Sequence, residues 1–500
     1  MKIKICVVLF VGLAVPASSQ RLLSLDSCRA MALRYNKQMA VSKVKQDVAT
    51  NIRKSARTKY LPHVSALGTY QYTSKPISIL SDANKAALSG MGTTMATGIQ
   101  DGLGKISTAL SMTNVGSILS GLGLNLSDLS GLTGQSLQEF AGKLNGFGDM
   151  IVDALDTDTR NLFAGTVMVT QPVFMGGAIV ALNKMADINE DLQQNSADMR
   201  RQSTIYSTDK AYWQVVSLKH KQKLAEAYLD LLKKLDSDVH KMIDEGVATK
   251  SDGLSVDVKL NEAEMTLTRV NDGLVLSKML LCQTIGLPIN EEISLADEDT
   301  ENIVVEEVTP ALNVEMAVEN RPELKMLDNG IQMTKQLTNV LKAGNLPMVA
   351  LTGGYFVTNP ALVNGFEKKF RGMWNVGVLV RVPIWNWGDV MYKVRAAKGA
   401  TSIAVLEREE AREMIELQVN QNTFRVTEAN KKLTMAKSNI AHADENLRTA
   451  NIGFKEGVIT PSTVMEAQTA WLQAMSQKID AEIDVKLSQV DLQKSLGTLE

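Results

Sequence analysis

Side chains that could do chemistry are few in this sequence, and they are far apart along the chain. The histidines are His63, His220, His240 and His442. None stands at a spacing from Asp, Cys or Ser that makes a catalytic triad or a metal site. Gly121 and Gly123 form only an isolated, weak match to a phosphate-binding loop. We therefore expect no enzyme activity, no catalytic residue, no metal site and no cofactor.

The cysteines and the overall charge also argue against chemistry. Apart from Cys6, which lies in an N-terminal apolar run, the chain has only Cys28 and Cys282. These are too few for a disulfide framework, and two buried thiols are favoured over one bridge. The formal net charge of -2 gives no basic field that could hold nucleic acid, so we expect no nucleic-acid partner.

The N-terminus predicts export. Lys2 and Lys4 precede an apolar run over residues 5–15, and small residues follow it. This is the pattern of a signal peptide, here residues 1–19, and the run is too short to span a bilayer as a helix. No later segment contains about 18 uninterrupted apolar residues, the length that a transmembrane helix needs.

Matching residues at fixed separations indicate an internal duplication. Leu61-Pro62 recurs 285 residues later as Leu346-Pro347, whereas Gly246 recurs 211 residues later as Gly457. The difference of 74 residues requires an insertion in the first copy. The predicted domains after the signal peptide are a first repeat over 20–290, with an insertion at about 80–155, and a second repeat over 291–500.

Each repeat predicts a helix, two strands, a very long helix and a shorter helix. The predicted strands are 63–74, 162–174, 348–359 and 374–385. In the last strand Trp374, Val376 and Val378 alternate with other residues and share one face. Such strands, with aromatic residues near their ends, match a lipid-facing barrel, although a half-buried strand of a soluble sandwich shows the same alternation.

The long helices are predicted by stretches without proline that keep helical spacing, from Ala178 to about Glu245 and from Asp389 to Glu456. At 1.5 Å per residue each helix would be roughly 100 Å long. Shorter helices are predicted at about 253–285 and 461–496. Between them a Gly can end one helix and a Ser or Thr can cap the next, which predicts two antiparallel helical hairpins.

Four strands cannot close a barrel in lipid, because unpaired edge groups cost several kcal/mol each and barrels need about eight strands or more. Self-association is therefore expected, and a trimer would supply twelve strands. The predicted fold class is α+β. Each chain contains a duplicated helix-strand-strand-helix unit. As a trimer, the chains form a 12-stranded outer-membrane β-barrel that continues as a long periplasmic α-helical barrel.

The chain resembles the TolC-type outer-membrane efflux proteins over essentially its whole mature length except the insertion. The residues that carry the resemblance recur in order in both copies. They are Leu25 to Leu33 with Ala317 to Leu324, the Leu-Pro pairs before the first strands, Gln171 to Phe174 with Val382 to Trp385, and the two Gly-Val-x-Thr segments after the long helices. Each motif alone is weak, but their order and spacing together are specific.

The resemblance implies a homotrimer in the outer membrane, in contact with lipid, whose helical tunnel lies in the periplasm. It implies a passive exit duct of a tripartite efflux or type I secretion system, with a periplasmic adaptor and an inner-membrane pump as partners. The helical reversals would meet the adaptor. The residues that map onto them are Gly246, Val247, Ala248, Thr249, Gly457, Val458, Ile459 and Thr460.

The resemblance also implies acidic residues that narrow the tunnel entrance beyond the second reversal. Glu466 matches one expected position, whereas Thr463 occupies the other. Asp252 occupies the place in the first copy that corresponds to Thr463. A simpler interpretation, that Asp252 and Glu466 are only favourable charges in the first turns of helices, has about equal weight.

Two alternatives remain open at the sequence level. A periplasmic coiled-coil scaffold or adaptor also uses long helical hairpins, but it does not need paired Val-rich strands or a second hairpin. A porin working alone does not need long helices.

The insertion, which is rich in glycine, is expected at the cell exterior as a surface loop, with a lid over the pore as the second possibility.

Overall fold

A computed structural model describes residues 21–72, 74, 161–300, 303, 313–359, 361 and 369–499. The predicted signal peptide and the predicted insertion lie outside these residues. The chain divides into two compact units. The first contains Met1–Ala40, Arg201–Val314 and Gln418–Glu500, and the second contains Val41–Arg200 and Glu315–Leu417. Each unit takes segments from both predicted repeats.

Four long helices follow the two pairs of strands in the sequence. They are α3 (Ala178–Asp244), α4 (Lys250–Ile285), α7 (Asp389–Lys455) and α8 (Pro461–Leu496). Helices α3 and α7 have 67 residues each, and α4 and α8 have 36 each. The predicted long helices are confirmed to within one residue. Their equal lengths support the proposed duplication.

Shorter helices precede each pair of strands. They are α1 (Leu25–Tyr35), α2 (Lys37–Arg57), α5 (Val314–Asn320) and α6 (Pro322–Ala343). Helix α1 begins where the Ser24 side chain accepts a hydrogen bond from the Ser27 amide, and α6 begins with a proline, whose missing N–H would have no helical partner there. In the second unit α6 packs on α3 and α7 through Met333, Leu337 and Val340.

A four-stranded antiparallel sheet in the second unit contains β2 (His63–Tyr72), β3 (Asn161–Met175), β5 (Met348–Asn359) and β6 (Arg371–Arg381). The strand order is β2-β3-β5-β6, so each predicted pair is a hairpin and the two hairpins join through β3 and β5. Strand β6 ends four residues before its predicted end, because Pro383 has no N–H for a sheet hydrogen bond. The register shifts by one residue between Pro172 and Phe174, a bulge that accommodates the proline of β3.

A second, small sheet was not predicted from the sequence. Strand β1 (Arg21–Leu23) pairs in parallel with β4 (Ile293–Leu295), which joins the start of the first repeat to the start of the second. Three residues per strand are too few to show an alternating pattern.

The first unit has a core that brings α1, α3 and α4 together. Tyr212, Leu281 and Ile285 are fully buried in it, and so are Cys28 and Cys282. Both cysteines are free thiols, as predicted. Burial raises the pKa of Cys28 to about 12, which keeps this thiol protonated and unreactive. No helix in the described part of the chain combines the length and the apolar character that crossing a membrane requires.

Candidate functional site

The predicted docking residues occupy two helical reversals in the first unit. The first links α3 to α4 at Gly246 to Thr249, and the second links α7 to α8 at Gly457 to Thr460. Both glycines have a left-handed backbone, with φ of 79° at Gly246 and 73° at Gly457. Such angles favour glycine because a β-carbon would strain them.

The two reversals share one hydrogen-bond pattern. The Val247 amide donates to the Met242 carbonyl at 2.8 Å, and Gly246 donates to Ile243 at 3.0 Å. At the second reversal Val458 donates to Gly453 at 2.8 Å and Gly457 donates to Phe454 at 3.0 Å. This is the Schellman arrangement, in which crossed hydrogen bonds satisfy the last carbonyls of a helix. Repeating it at both sites gives the chain two reversals of matching backbone geometry.

Exposure at the reversals leaves their backbone accessible. Val247 is 67% exposed and Val458 is 81% exposed. A β-carbon built at either glycine would meet no atom within 4 Å. The surface around the two glycines is therefore open, as a docking surface requires.

The next helices begin with different caps. Thr249 accepts a hydrogen bond from the Asp252 amide, and the Asp252 carboxylate accepts from the Thr249 amide at 2.9 Å and from its hydroxyl at 2.6 Å. These bonds form a reciprocal capping box and hold the pKa of Asp252 below its usual value, chiefly through the Thr249 hydroxyl. At the second reversal Thr460 caps α8, and the Thr463 hydroxyl lies 3.2 Å from the Thr460 hydroxyl. Thr463 thus replaces the carboxylate at the same helical position.

The two entrance candidates therefore differ. The Asp252 carboxylate is engaged in capping α4, which favours the simpler interpretation for this residue. Glu466 is exposed in the second turn of α8, and it makes no hydrogen bond or ion pair with the residues that the structure describes. Of the two, Glu466 is the carboxylate that can interact with ions or with another chain.

The two reversals are held together by one apolar cluster in the first unit. Leu235, Val239 and Val256 of the first hairpin pack with Phe454 and Val464 of the second. Within each hairpin a glycine allows close packing, since a β-carbon at Gly253 would lie 2.8 Å from the Ile243 side chain, and one at Gly453 would lie 2.5 Å from Ile459. The sequence predicted each hairpin but not this contact, because the two segments lie about 200 residues apart.

One group of polar residues near the first reversal was missed. Asp236 and His240 of α3 lie beside Asp257 of α4. The spacing of four residues between Asp236 and His240 was a visible signal, but the third member belongs to another helix and only the hairpin brings it close.

The sheet exposes large apolar side chains in the isolated chain. On β6, Trp374 is 77% exposed, Val376 is 76% exposed and Val378 is 62% exposed, so the described residues leave most of the predicted apolar face uncovered. Tyr70, Phe163 and Phe370 form a group of aromatic rings with centroids 4.6 and 5.6 Å apart. A soluble sandwich would bury such a face.

Comparisons with known proteins agree with this architecture. Residues 313–498 match the family described as "Outer membrane efflux protein". No curated protein matches the sequence.

Solved structures match nearly the whole chain. The CmeC outer membrane channel of Campylobacter jejuni has a TM-score of 0.71 at 13% identity, over 95% of this chain and 86% of that one. The outer membrane protein VceC of Vibrio cholerae has a TM-score of 0.69 at 12% identity, over 95% and 96%. The open state of the MtrE outer membrane channel of Neisseria gonorrhoeae has a TM-score of 0.66 at 15% identity, over 95% and 89%. These similarities establish the fold.

Proposed function

We propose that this chain, whose residues 313–498 match the outer membrane efflux protein family, is the outer-membrane channel subunit of an export machine. It would form a passive exit duct that carries substrates delivered by an inner-membrane pump and a periplasmic adaptor. The family and the fold favour this function over a periplasmic scaffold or adaptor, the alternative that the long hairpins had left open.

The exposed sheet is the observation that carries the proposal. Strands β2 and β6 are its outer strands, and among the described residues no further strand pairs with either. Because unpaired edges and an exposed Val-rich face are unfavourable in water, both need a covering. Lipid can cover the face, and a second copy can pair β6 with β2, so three copies would close a twelve-stranded barrel around a water-filled pore.

The long helices expose apolar residues that support the same association. Leu254, Met265 and Leu276 on α4 stand 11 residues apart, and each is more than half exposed. On α7, Leu406 and Leu417 have the same separation, as do Phe424 and Met435. Eleven residues make three turns of a nearly straight helix, so each set forms one stripe. Pairing α4 of one copy with α7 of the next would bury the α4 stripe against Phe424 and Met435, through a head-to-tail contact that closes into a ring.

Docking of the adaptor at the reversals is supported by their shared geometry. A trimer would have six matching reversals, two per chain. Each would present an exposed valine, Val247 or Val458, beside the accessible backbone of its glycine. Open glycine positions of this kind let a partner's backbone approach closely.

Oligomeric mass and conductance test the proposal together. The mature protein extracted in detergent should have the mass of a trimer by light scattering, and it should conduct ions in planar bilayers. A monodisperse monomer would contradict the barrel. A protein that stays soluble without detergent after removal of the signal peptide would support the scaffold instead.

A further inference from the structure

We propose that Asp236, His240 and Asp257 form a binding site for a divalent transition-metal ion, which links α3 to α4 beside the first reversal. The imidazole and the two carboxylates each offer one ligand atom, and these three atoms lie within 4.8 Å of one another. One imidazole with two carboxylates suits zinc and its neighbours in the first transition row, whereas calcium and magnesium prefer oxygen ligands alone.

Distances within the group suit a shared ion. The His240 Nδ1 atom lies 3.2 Å from the Asp236 Oδ1 atom. Zinc bonds of about 2.0–2.2 Å place two tetrahedral ligands roughly 3.4 Å apart. Asp257 completes the set after a side-chain movement on the order of 1 Å, well within the range of surface rotamers. A fourth position is left for water.

An unsatisfied atom is the second observation that indicates a ligand. The Asp236 Oδ1 atom is buried and accepts no hydrogen bond from the described residues, and the His240 Nδ1 atom beside it balances its charge only when the imidazole is protonated. A buried carboxylate oxygen without a donor costs free energy, and a bound cation would remove that cost. The Asp236 carbonyl oxygen also lies 3.0 Å from the His240 Nδ1 atom.

The second hairpin lacks the site. With the 211-residue shift between repeats, Leu447, Asn451 and Gln468 occupy the places of Asp236, His240 and Asp257. None of the three is a usual ligand for a transition metal. The first reversal alone would therefore be clamped by a metal, which would make the two otherwise matching reversals different in rigidity.

Metal titration of the full mature protein tests the site. Untagged protein in detergent, stripped with a chelator, should bind one Zn²⁺ per chain by isothermal titration calorimetry. His240→Ala and Asp257→Asn should each weaken binding about tenfold or more, the scale of losing part of a metal's coordination. The control is His442→Ala, which removes an exposed histidine from α7 and should bind zinc as the parent does.

A spectroscopic probe separates this site from unspecific binding. Co²⁺ bound at the site should give a visible absorption band that His240→Ala abolishes and His442→Ala retains. The proposal is overturned if the parent binds no Zn²⁺, or if His240→Ala and Asp257→Asn bind it with parental affinity and stoichiometry. Conductance plays no part in either measurement, so the outcome does not depend on the channel function.

Discussion

At the scale of single residues, a buried ion pair fixes α1 to α3. The Arg29 guanidinium donates two hydrogen bonds to Asp209, Nε to Oδ1 at 2.8 Å and Nη2 to Oδ2 at 2.6 Å. The Asp209 side chain is fully buried. Because 180 residues separate the two, no local pattern in the sequence announced the pair.

Breaking this ion pair from one side should be costly. Arg29→Met leaves a buried carboxylate without its partner, and we expect a loss of about 3–5 kcal/mol in the free energy of unfolding. The double variant Arg29→Met with Asp209→Leu should recover most of that loss, because no charge is then left buried. Denaturant unfolding measures both, and additive losses in the double variant would show that the pair is not coupled.

The Asp252 cap should make the start of α4 sensitive to pH. Because the folded pKa of Asp252 lies below the unfolded value of 3.8, its stabilising contribution is fully present above that value and is lost as pH falls through the folded pKa. Asp252→Asn should therefore speed hydrogen exchange in the first turn of α4 at neutral pH, after correction for intrinsic rates, and parent and variant should converge in acid. The first turn of α8, capped by Thr460 and Thr463, is the internal control, and its hydrogen exchange should be the same in parent and variant at each pH.

At the scale of elements, sequence periodicity was sufficient for the long helices and the strands. Absence of proline and sustained helical spacing located α3 and α7, because those signals accumulate over 67 residues. The start of α4 lies at Lys250, three residues before the predicted start, because the Thr249 cap and its reciprocal bond to Asp252 extend the helix. The short strands β1 and β4 were missed because their pairing depends on tertiary contact.

The glycine of the second reversal gives a prediction at the same scale. Gly457→Val places a β-branched residue at φ 73°, which costs roughly 1–2 kcal/mol locally, and it also blocks close approach of a partner's backbone. We expect normal trimer levels in the outer membrane with loss of export, measured as drug or peptide accumulation in cells. The equivalent change at Gly246 should have a similar or milder effect.

Its matched control is Gly399→Ala on α7. Gly399 lies within a helix at an ordinary angle, and a β-carbon there meets no atom within 4 Å. This variant should export normally. If Gly457→Val also exports normally, the second reversal is not a docking surface.

Glu466 and Asp252 give a prediction that separates gating from capping. Three copies of an exposed carboxylate around a narrow mouth would attract cations, so Glu466→Gln should change conductance or cation preference in planar bilayers and leave folding intact. Asp252→Asn alone should change conductance less, since its carboxylate is engaged with Thr249. Parental conductance and selectivity in the double variant would mean that neither carboxylate contributes to the gate.

At the scale of the whole molecule, the sequence predicted that one chain is incomplete but could not show which surfaces meet. The number of strands indicated that the chain must self-associate, because a four-stranded sheet leaves two strand edges unpaired. The exposed stripes on α4 and α7 became visible only once the buried faces of those helices were known. In the sequence, the apolar spacing of an exposed stripe on α4 or α7 looks the same as that of a stripe that faces the core.

The ends of the sheet in the second unit, together with the proposed periplasmic position of the helices, predict the orientation of the chain in the membrane. Tyr72 pairs with Asn161 where the insertion leaves the sheet, whereas the helices connect beside His63 and after Met175, at the opposite ends of β2 and β3. If the strands span the membrane, the insertion and the start of α3 must lie on opposite sides.

We therefore expect a cysteine placed within 100–130 to react on intact cells with a maleimide too large to pass the pore. Cysteines at Lys184 in α3 and at Lys250 should react only after the outer membrane is permeabilised. Both labelling experiments use a background in which Cys28 and Cys282, which are buried, are replaced by alanine. If Lys184→Cys is labelled on intact cells and the insertion is labelled only after permeabilisation, the orientation is the reverse and the helices lie outside the cell.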